Sequence, residues 1–448
     1  MGLSRGEILR KLVHMAVGLI AFALRPLGPE LAALCALGAL LFNLLVLPRI
    51  GGRRLWREHE AARGRALGIV LYPLAVLLLV LLFWRRLEIA AAIWGILAFG
   101  DGMASVVGMT LGRAKLPWNP GKSWAGSLAH WLFGTLAATI LLQWTAPDHY
   151  SNLFALGACA GAALVSAVLE SMPQGLDDNL GVPLVAALAL YCLLLTGGHW
   201  RPFLHDPALP TRLLIGVGVN LVLALAGYAA KSVNRSGLLA GWAVGTVIYA
   251  ALDWRGYLLL LAFFVIGTAC TKLGYARKAA RGIAQEEGGR RGARHALAKT
   301  AVPAACALFA ATTPYPVVFT MAFAAAFATA AADTASSEIG KLWGRRTFLV
   351  TTFRAVPPGT EGAVSLEGTL AGAGGAFLVA ALGAGLHLFP WPAALTVTVA
   401  GFVATMLESV VGATIETDGL LDGTAVNFLC TLCGALLAGG ASALVFAA

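Results

Sequence analysis

The chain has little charge. Only 12% of its 448 residues are Asp, Glu, Lys or Arg, and acids are the scarcer kind, 22 against 32 lysines plus arginines. An average soluble domain is about one quarter charged. A chain with 59% hydrophobic residues and a mean hydropathy of +0.80 therefore does not have water as its main solvent. Cysteine is sparse too, seven residues in all, each in an apolar stretch. Cys430 and Cys433 share a helix face but lack the second pair or nearby histidine of a metal site, which leaves them as small core residues. The first apolar stretch, Leu12 to Leu24, lacks a small-residue cleavage site ahead of a soluble portion, so it is expected to be a retained helix. The formal charge of +10 sits in short segments abutting apolar runs, which fits positive-inside topology rather than nucleic-acid binding.

What the chain has is a series of apolar runs long enough to cross a hydrocarbon core of roughly 30 Å. Runs this continuous are helical, because only helices and closed barrels satisfy their backbone in lipid. The expected fold class is all-α, a polytopic integral membrane protein of about fifteen transmembrane helices between residues 12 and 446. With Arg5, Arg10 and Lys11 on the cytoplasmic side, that side also receives the basic segments 49–65, 113–122, 272–299 and 341–354; Arg85 and Arg86 are a local exception, placed to snorkel to the interface. The segment Gly198 to Thr211, rich in Pro, His and Asp, is the one long polar interruption without a basic cluster. It divides the chain into an expected first half, 1–205, and second half, 206–448.

The halves repeat one another. Asp101 is followed by Gly108, Gly112 and Arg113, and Asp333 by Gly340, Gly344 and Arg345, the same D-x6-G-x3-G-R spacing. Ser123-Trp-Ala-Gly-Ser-Leu-Ala then aligns with Ser365-Leu-Glu-Gly-Thr-Leu-Ala, and each is followed by two spans and an acid-serine pair, Glu170-Ser171 or Glu408-Ser409. On the topology above the repeat is parallel, and both motif loops face the cytoplasm.

An aspartate at the end of an apolar run costs several kcal/mol unless it pairs or binds a cation. Asp101 and Asp333 are therefore candidate functional residues. The paired glycines remove side chains from one helix face, opening it to a phosphate or to a neighbouring helix. Asn119-Pro-Gly-Lys122-Ser123-Trp-Ala-Gly-Ser127 brings a lysine, hydroxyls and glycine amides to a helix start, the groups that cradle a polyphosphate. It is not a Walker A loop, since the preceding glycine spacing and the strand are missing. Glu170 with Asp178 and Asn179 offers hard oxygen ligands suited to magnesium, or a helix N-cap. Glu7, Arg10, Lys11 and His14 share one face of the first helix, where a snorkelling anchor explains Arg10 and Lys11 about as well as a catalytic role does, and explains His14 less well.

The second half departs in detail. Val364 stands where Lys122 would align, so a phosphate-binding cation is expected from Lys341, Arg345 or Arg354. Glu338, Glu361 and Glu367 are extra acids; Glu338 and Glu367 are candidates for a metal-phosphate site or for favouring a helix terminus. Glu408 and Asn427 form the counterpart of Glu170 and Asn179.

At these residues the first half resembles the polyprenol kinases, phytol kinase and dolichol kinase: Glu7-x-x-Arg10-Lys11-x-x-His14, Gly100-Asp101-Gly-Met-Ala104, Gly108, Gly112, Leu116 through Ser127, then Glu170 with Asp178-Asn179 before Val182-Pro183. The second half resembles the membrane family that includes plant phytyl-phosphate kinase, through Asn234-Arg-Ser-Gly-Leu-Leu-Ala240, Gly267 to Gly274, Ala332-Asp333-Thr-Ala-Ser-Ser337-Glu338-Ile-Gly340 and Gly362-Ala-Val-Ser365-Leu-Glu367-Gly-Thr369. His295 and Lys299 stand where many members carry Gln and Asn. The resemblance implies a fused salvage kinase that phosphorylates an isoprenoid alcohol of the phytol or geranylgeraniol type to the monophosphate and then the diphosphate. CTP or another nucleoside triphosphate would be co-substrate and Mg2+ the cofactor. Asp101, Glu170, His14, Asp333, Glu338 and Glu408 are the expected catalytic residues. Gly108, Gly112, Arg113, Lys122, Ser123, Ser127, Gly340, Lys341, Gly344, Arg354 and Ser365 are expected at the nucleotide, and Asp101, Glu170, Asp178, Asn179, Asp333, Glu367 and Asn427 at the metal. A multi-pass protein of a bacterial inner membrane follows. Two alternatives stay open: a CTP-dependent lipid cytidylyltransferase, whose family has a related acid, glycine and lysine-serine pattern, and a parallel-repeat lipid transporter without nucleotide chemistry.

Overall fold

The computed structural model describes residues 5–50, 67–173, 178–284, 292–416 and 421–446. The fold is mostly helical. Among the described residues, eleven helices are long and apolar enough to cross a membrane, and Gly68–Leu82 is a shorter apolar one. The difference from about fifteen has physical reasons. Two hydropathy breaks are kinks inside continuous helices. One is at Gly28, where φ is +69° just ahead of Pro29, and the other is at Leu252 and Asp253, where φ reaches +52°. Ala293–Thr312 is helical but enters the apolar region with Arg294 and Lys299 on it.

The chain divides into two compact units, Met1–Gly197 and Gly198–Ala448. In the first, the helices are α1 (Arg5–Gly18), α2 (Leu24–Leu41), α3 (Leu67–Leu82), α4 (Leu87–Gly95), α5 (Asp101–Thr110), α6 (Trp124–Thr145), α7 (Asn152–Ser171) and α8 (Asp178–Thr196). In the second they are α9 (Trp200–Leu204), α10 (Leu209–Ala229), α11 (Arg235–Lys272), α12 (Tyr275–Ala280), α13 (Ala293–Thr312), α14 (Pro316–Trp343), α15 (Leu366–Gly385), α16 (Trp391–Val411) and α17 (Gly423–Phe446). Each unit has one short antiparallel hairpin, Lys115–Leu116 with Asn119–Ser123 in the first and Thr347–Leu349 with Ala363–Ser365 in the second.

Both hairpins end on a serine that starts a helix. Ser123 Oγ accepts from Gly126 N at 3.2 Å and Ser365 Oγ from Gly368 N at 3.1 Å, each satisfying one of the orphan amides of a first turn. Inside each unit the helix leading to the aspartate is the most enclosed. In the most apolar 18 residues of Leu87–Thr110, 67% are buried, and in those of Pro316–Trp343, 83%, above every other span among the described residues, so these two are the hubs of their bundles. Alanine makes this enclosure possible: Ala90, Ala91 and Ala92 in α4, and Ala322 to Ala332 with two interleaved phenylalanines in α14, are all but inaccessible. In lipid such close backbone approach gains van der Waals contact rather than expelling water.

Arg86 does not snorkel freely. Its Nε donates to Glu88 Oε1 at 2.6 Å, its Nη2 donates to Tyr150 Oη at 2.7 Å, and the guanidinium lies 5.8 Å from the Tyr191 ring centre. This end of the first unit is pinned by an ion pair.

Candidate active site

Asp101 opens α5 directly after a π-helical turn, Ile96–Gly100, that widens the hub helix. Its Oδ2 lies 2.8 Å from Lys11 Nζ and 3.4 Å from His14 Nε2, so Lys11 and His14, one turn apart on α1, converge on the aspartate. His14 Nε2 also donates to Leu97 O at 2.9 Å, and its ring meets the Tyr72 ring edge-on at 4.8 Å. Lys11, which the sequence leaves between an anchor and a catalytic role, is thus the partner that lets a carboxylate stand at the end of an apolar helix.

The loop before α6 is fastened to the end of α7. Asn119 Nδ2 donates to Ser171 O at 3.1 Å and Trp118 Nε1 to Ser171 Oγ at 3.2 Å. That brings Lys122 Nζ to 2.9 Å from Glu170 Oε1 and 3.7 Å from Asp178 Oδ2. Burial works against the ammonium. The charges of Glu170, Asp178 and Asp101 outweigh it, and the Lys122 pKa is held above the usual lysine value. From the other side His130 Nδ1 lies 2.6 Å from Glu170 Oε2, off the line of a straight hydrogen bond, and His130 Nε2 lies 2.9 Å from Ser166 Oγ.

These groups border one pocket. Asp101, His130, Ser166, Glu170, Asp178 and Asn179 line it together with Ile93, Ile96, Leu97, Val182 and Pro183. It joins a polar, acidic end to an apolar wall. Ser127 lies in the first turn of α6, and Arg113 is exposed beyond α5.

The glycine pairs have their free faces filled by the next helix. A Cβ on Gly108 would meet Ser123 Oγ at 3.4 Å, and one on Gly112 would come within 2.4 Å of the same oxygen. Gly340 and Gly344 stand likewise at 3.3 Å and 3.0 Å from Ser365 Oγ. Opposite them a Cβ on Gly126 would lie 3.0 Å from Ala104 O, and one on Gly368 2.6 Å from Ser336 O. The spacing that leaves a face open to a phosphate or a neighbouring helix builds, in both units, a glycine-to-glycine helix contact around a capping serine.

In the second unit Asp333 pairs with Lys299, whose Nζ also donates to Thr334 Oγ1 at 3.1 Å. Glu338 does not join Asp333. Five residues along a helix is about 140° around it, and Glu338 faces Lys278 in an ion pair whose side chains are 2% and 1% exposed. Lys278 Nζ further donates to Thr271 O at 2.9 Å and Cys270 O at 3.2 Å, so this pair closes the C-terminal end of α11. Asn427 Nδ2 donates to Gly423 O of its own helix. Lys341 O accepts from Arg281 Nη1 at 3.5 Å; Arg354 is exposed, and Glu367 lies half-buried in the first turn of α15. Glu408 is half-buried near the end of α16.

Among the described residues no three His, Cys, Asp or Glu side chains are grouped so as to hold a metal ion. Both oxygens of Glu170 are taken by basic groups, which argues against its place as a metal ligand, whereas Asp101 and Asp178 keep 24% and 42% of their side chains exposed. Sequence reading missed His130 and Ser166. The signal was present: His130 is the one titratable side chain in the apolar helix Trp124–Thr145, a placement that marks function by default. The pairing of Lys299 with Asp333 had no such signal.

The integral membrane protein family DUF92 matches residues 218–435. An uncharacterized membrane protein of Synechocystis sp. is 41% identical over 248 residues, which is 54% of this chain and 95% of its own length. The chloroplastic protein VTE6 of Arabidopsis thaliana is 37% identical over 206 residues, 45% of this chain and 62% of its own length. A chloroplastic protein of Glycine max named probable phytol kinase 2 is 33% identical over 192 residues, 41% of this chain and 64% of its own. The chain thus spans a little under two thirds of these two plant relatives. No solved structure matches.

Proposed function

The chain belongs to the DUF92 family of integral membrane proteins, and from that premise we propose that it is a kinase of isoprenoid alcohols with two sites, the first making a prenyl monophosphate and the second a diphosphate, CTP being the donor. The observation that carries the reading is the first-unit pocket, in which Ile93, Ile96, Leu97, Val182 and Pro183 run up to Asp101, Glu170 and Asp178. An isoprenoid alcohol has the matching chemistry, an apolar body ending in one hydroxyl. Relatives named phytol kinase support the alcohol as substrate. The DUF92 match lies in the second unit, outside this pocket, which supports a separate task for each unit.

In the first step the alcohol oxygen attacks the γ-phosphorus of the nucleotide, and the bond from that phosphorus to the β-phosphate oxygen breaks. CDP leaves, and the hydroxyl proton passes to Asp101, beside which His14 stands. Such transfer needs positioning and charge neutralisation more than covalent catalysis. Lys122, kept charged by its acidic neighbours, is set to meet phosphate oxygens. Magnesium, when bound, neutralises the β- and γ-phosphates; Asp101 and Asp178 are the residues that would hold it, since it commonly needs only one or two protein carboxylates. In the second unit Asp333 and Lys299 take the corresponding places, with Lys341, Arg345 and Arg354 drawing in an already anionic substrate. Both sites face the cytoplasm in this proposal.

The experiment is transfer of label from γ-labelled CTP to phytol by the full-length protein with magnesium, with the products analysed. Labelled prenyl phosphate and CDP are expected. Pyrophosphate with a cytidylylated lipid would instead favour nucleotidyl transfer, and no transfer to lipid would end the kinase reading.

A further inference from the structure

Glu170 closes α7 with partners on two sides, Lys122 on Oε1 and His130 against Oε2. His130 is 2% exposed and Glu170 7%. Ser166 and Glu170 are one turn apart, so the imidazole on α6 meets α7 twice. The Glu170 carboxylate stands against Nδ1 and the Ser166 hydroxyl against Nε2. An imidazole in an apolar helix costs free energy unless its nitrogens are occupied. Here one nitrogen faces the Glu170 carboxylate and the other Ser166, one turn earlier on the same helix.

The second unit lacks the whole arrangement. In the register set by Ser123 with Ser365, and by Glu170 with Glu408, Gly372 stands for His130, Ala404 for Ser166 and Val364 for Lys122. Two neighbouring helices and a loop differ together, while the capping serines, the glycine contacts and the acids are kept. A histidine that merely filled space between α6 and α7 would not need the serine and the lysine to go with it.

We propose that His130, with Ser166, is a positioning residue of the first unit: it fixes Glu170 so that Glu170 holds the Lys122 ammonium at the pocket edge where a nucleotide phosphate is received. The inference rests on the reading of the first unit as the alcohol kinase. It assigns Glu170 to orienting the loop lysine rather than to metal binding. His130 acts through Glu170 and takes no proton from substrate.

The test uses full-length protein in lipid nanodiscs with magnesium, phytol and labelled CTP. His130→Ala is expected to raise KM for CTP about tenfold with kcat within about twofold, a loss of binding shared by ground and transition states. His130→Asn, which keeps an N–H near the reach of Nδ1, is expected to stay within about twofold of the parent, and His130→Gln to behave like alanine. Combined with Lys122→Ala, His130→Ala adds less than its separate effect, because the two act on one contact. Retention of labelled CTP on filters, without alcohol, weakens in parallel. Ser166→Ala, the milder change, raises KM about threefold and serves if His130→Ala does not fold. An unchanged KM in both alanine variants, equal behaviour of Ala and Asn at 130, or full additivity with Lys122→Ala overturns the proposal. Parent protein that transfers no label refutes the kinase reading and this inference with it; active parent with an indifferent His130 refutes the inference alone.

Discussion

In the first unit the acid at the end of the hub helix, Asp101, faces Lys11 and His14, and a second acid, Glu170, is gripped by Lys122 and His130. In the second, Asp333 faces Lys299, and the hub helix carries a further acid, Glu338, sealed against Lys278. The scaffold is shared down to the capping serine and the glycine contacts behind it. The basic groups are not. In each unit a lysine from a different helix neutralises the hub aspartate, and no spacing within the motif reveals which lysine it is. The two units share the backbone contacts, which have few alternatives at such close approach, and differ in the charges.

The sharpest way to break the comparison is Lys278→Met, because nothing in the first unit corresponds to that pair; Val106 stands where Glu338 aligns. Leaving Glu338 buried without its cation should cost about 3–5 kcal/mol. Adding Glu338→Leu should recover most of it, short of the capping bonds to Cys270 and Thr271, as read by thermal unfolding in detergent. Next in size, Lys122→Ala should lower kcat/KM for alcohol phosphorylation about a hundredfold and leave diphosphate formation from added prenyl monophosphate unchanged. Gly126→Ala and Gly368→Ala probe what the units share. Both should destabilise by about 1–3 kcal/mol, Gly368 the more, since its Cβ would stand 2.6 Å rather than 3.0 Å from a backbone carbonyl. The smallest effect is alkaline. Because the folded Lys122 pKa lies above the ordinary 10.5, its stabilising charge is fully present below that value and is lost as pH rises through the folded one. The stability difference between the parent and Lys122→Met should therefore hold steady to about pH 10.5 and shrink above it.

Membrane character and the two aspartates on the hub helices were legible in the sequence because each leaves a local trace: apolar length, or a charge at the end of a span. Ser123 and Ser365 were legible as helix starts for the same reason. The ion pairs were not, since Lys11 and Asp101 are 90 residues apart and Lys278 and Glu338 are 60 apart. The basic run around Lys278 looked like an ordinary positive-inside loop. The glycine spacing was legible as a motif with two uses, a neighbouring helix or a phosphate, and the neighbouring helix is the one that packs against it. The helix count failed at Gly28 and Asp253, where a kink and a loop look alike in hydropathy.

Asp101→Asn and Asp333→Asn, assayed side by side on phytol with labelled CTP and magnesium, test the division of labour most directly. The account predicts that Asp101→Asn makes no labelled monophosphate from the alcohol yet still converts added prenyl monophosphate, while Asp333→Asn accumulates monophosphate and makes no diphosphate. Loss of the same step in both variants would contradict it.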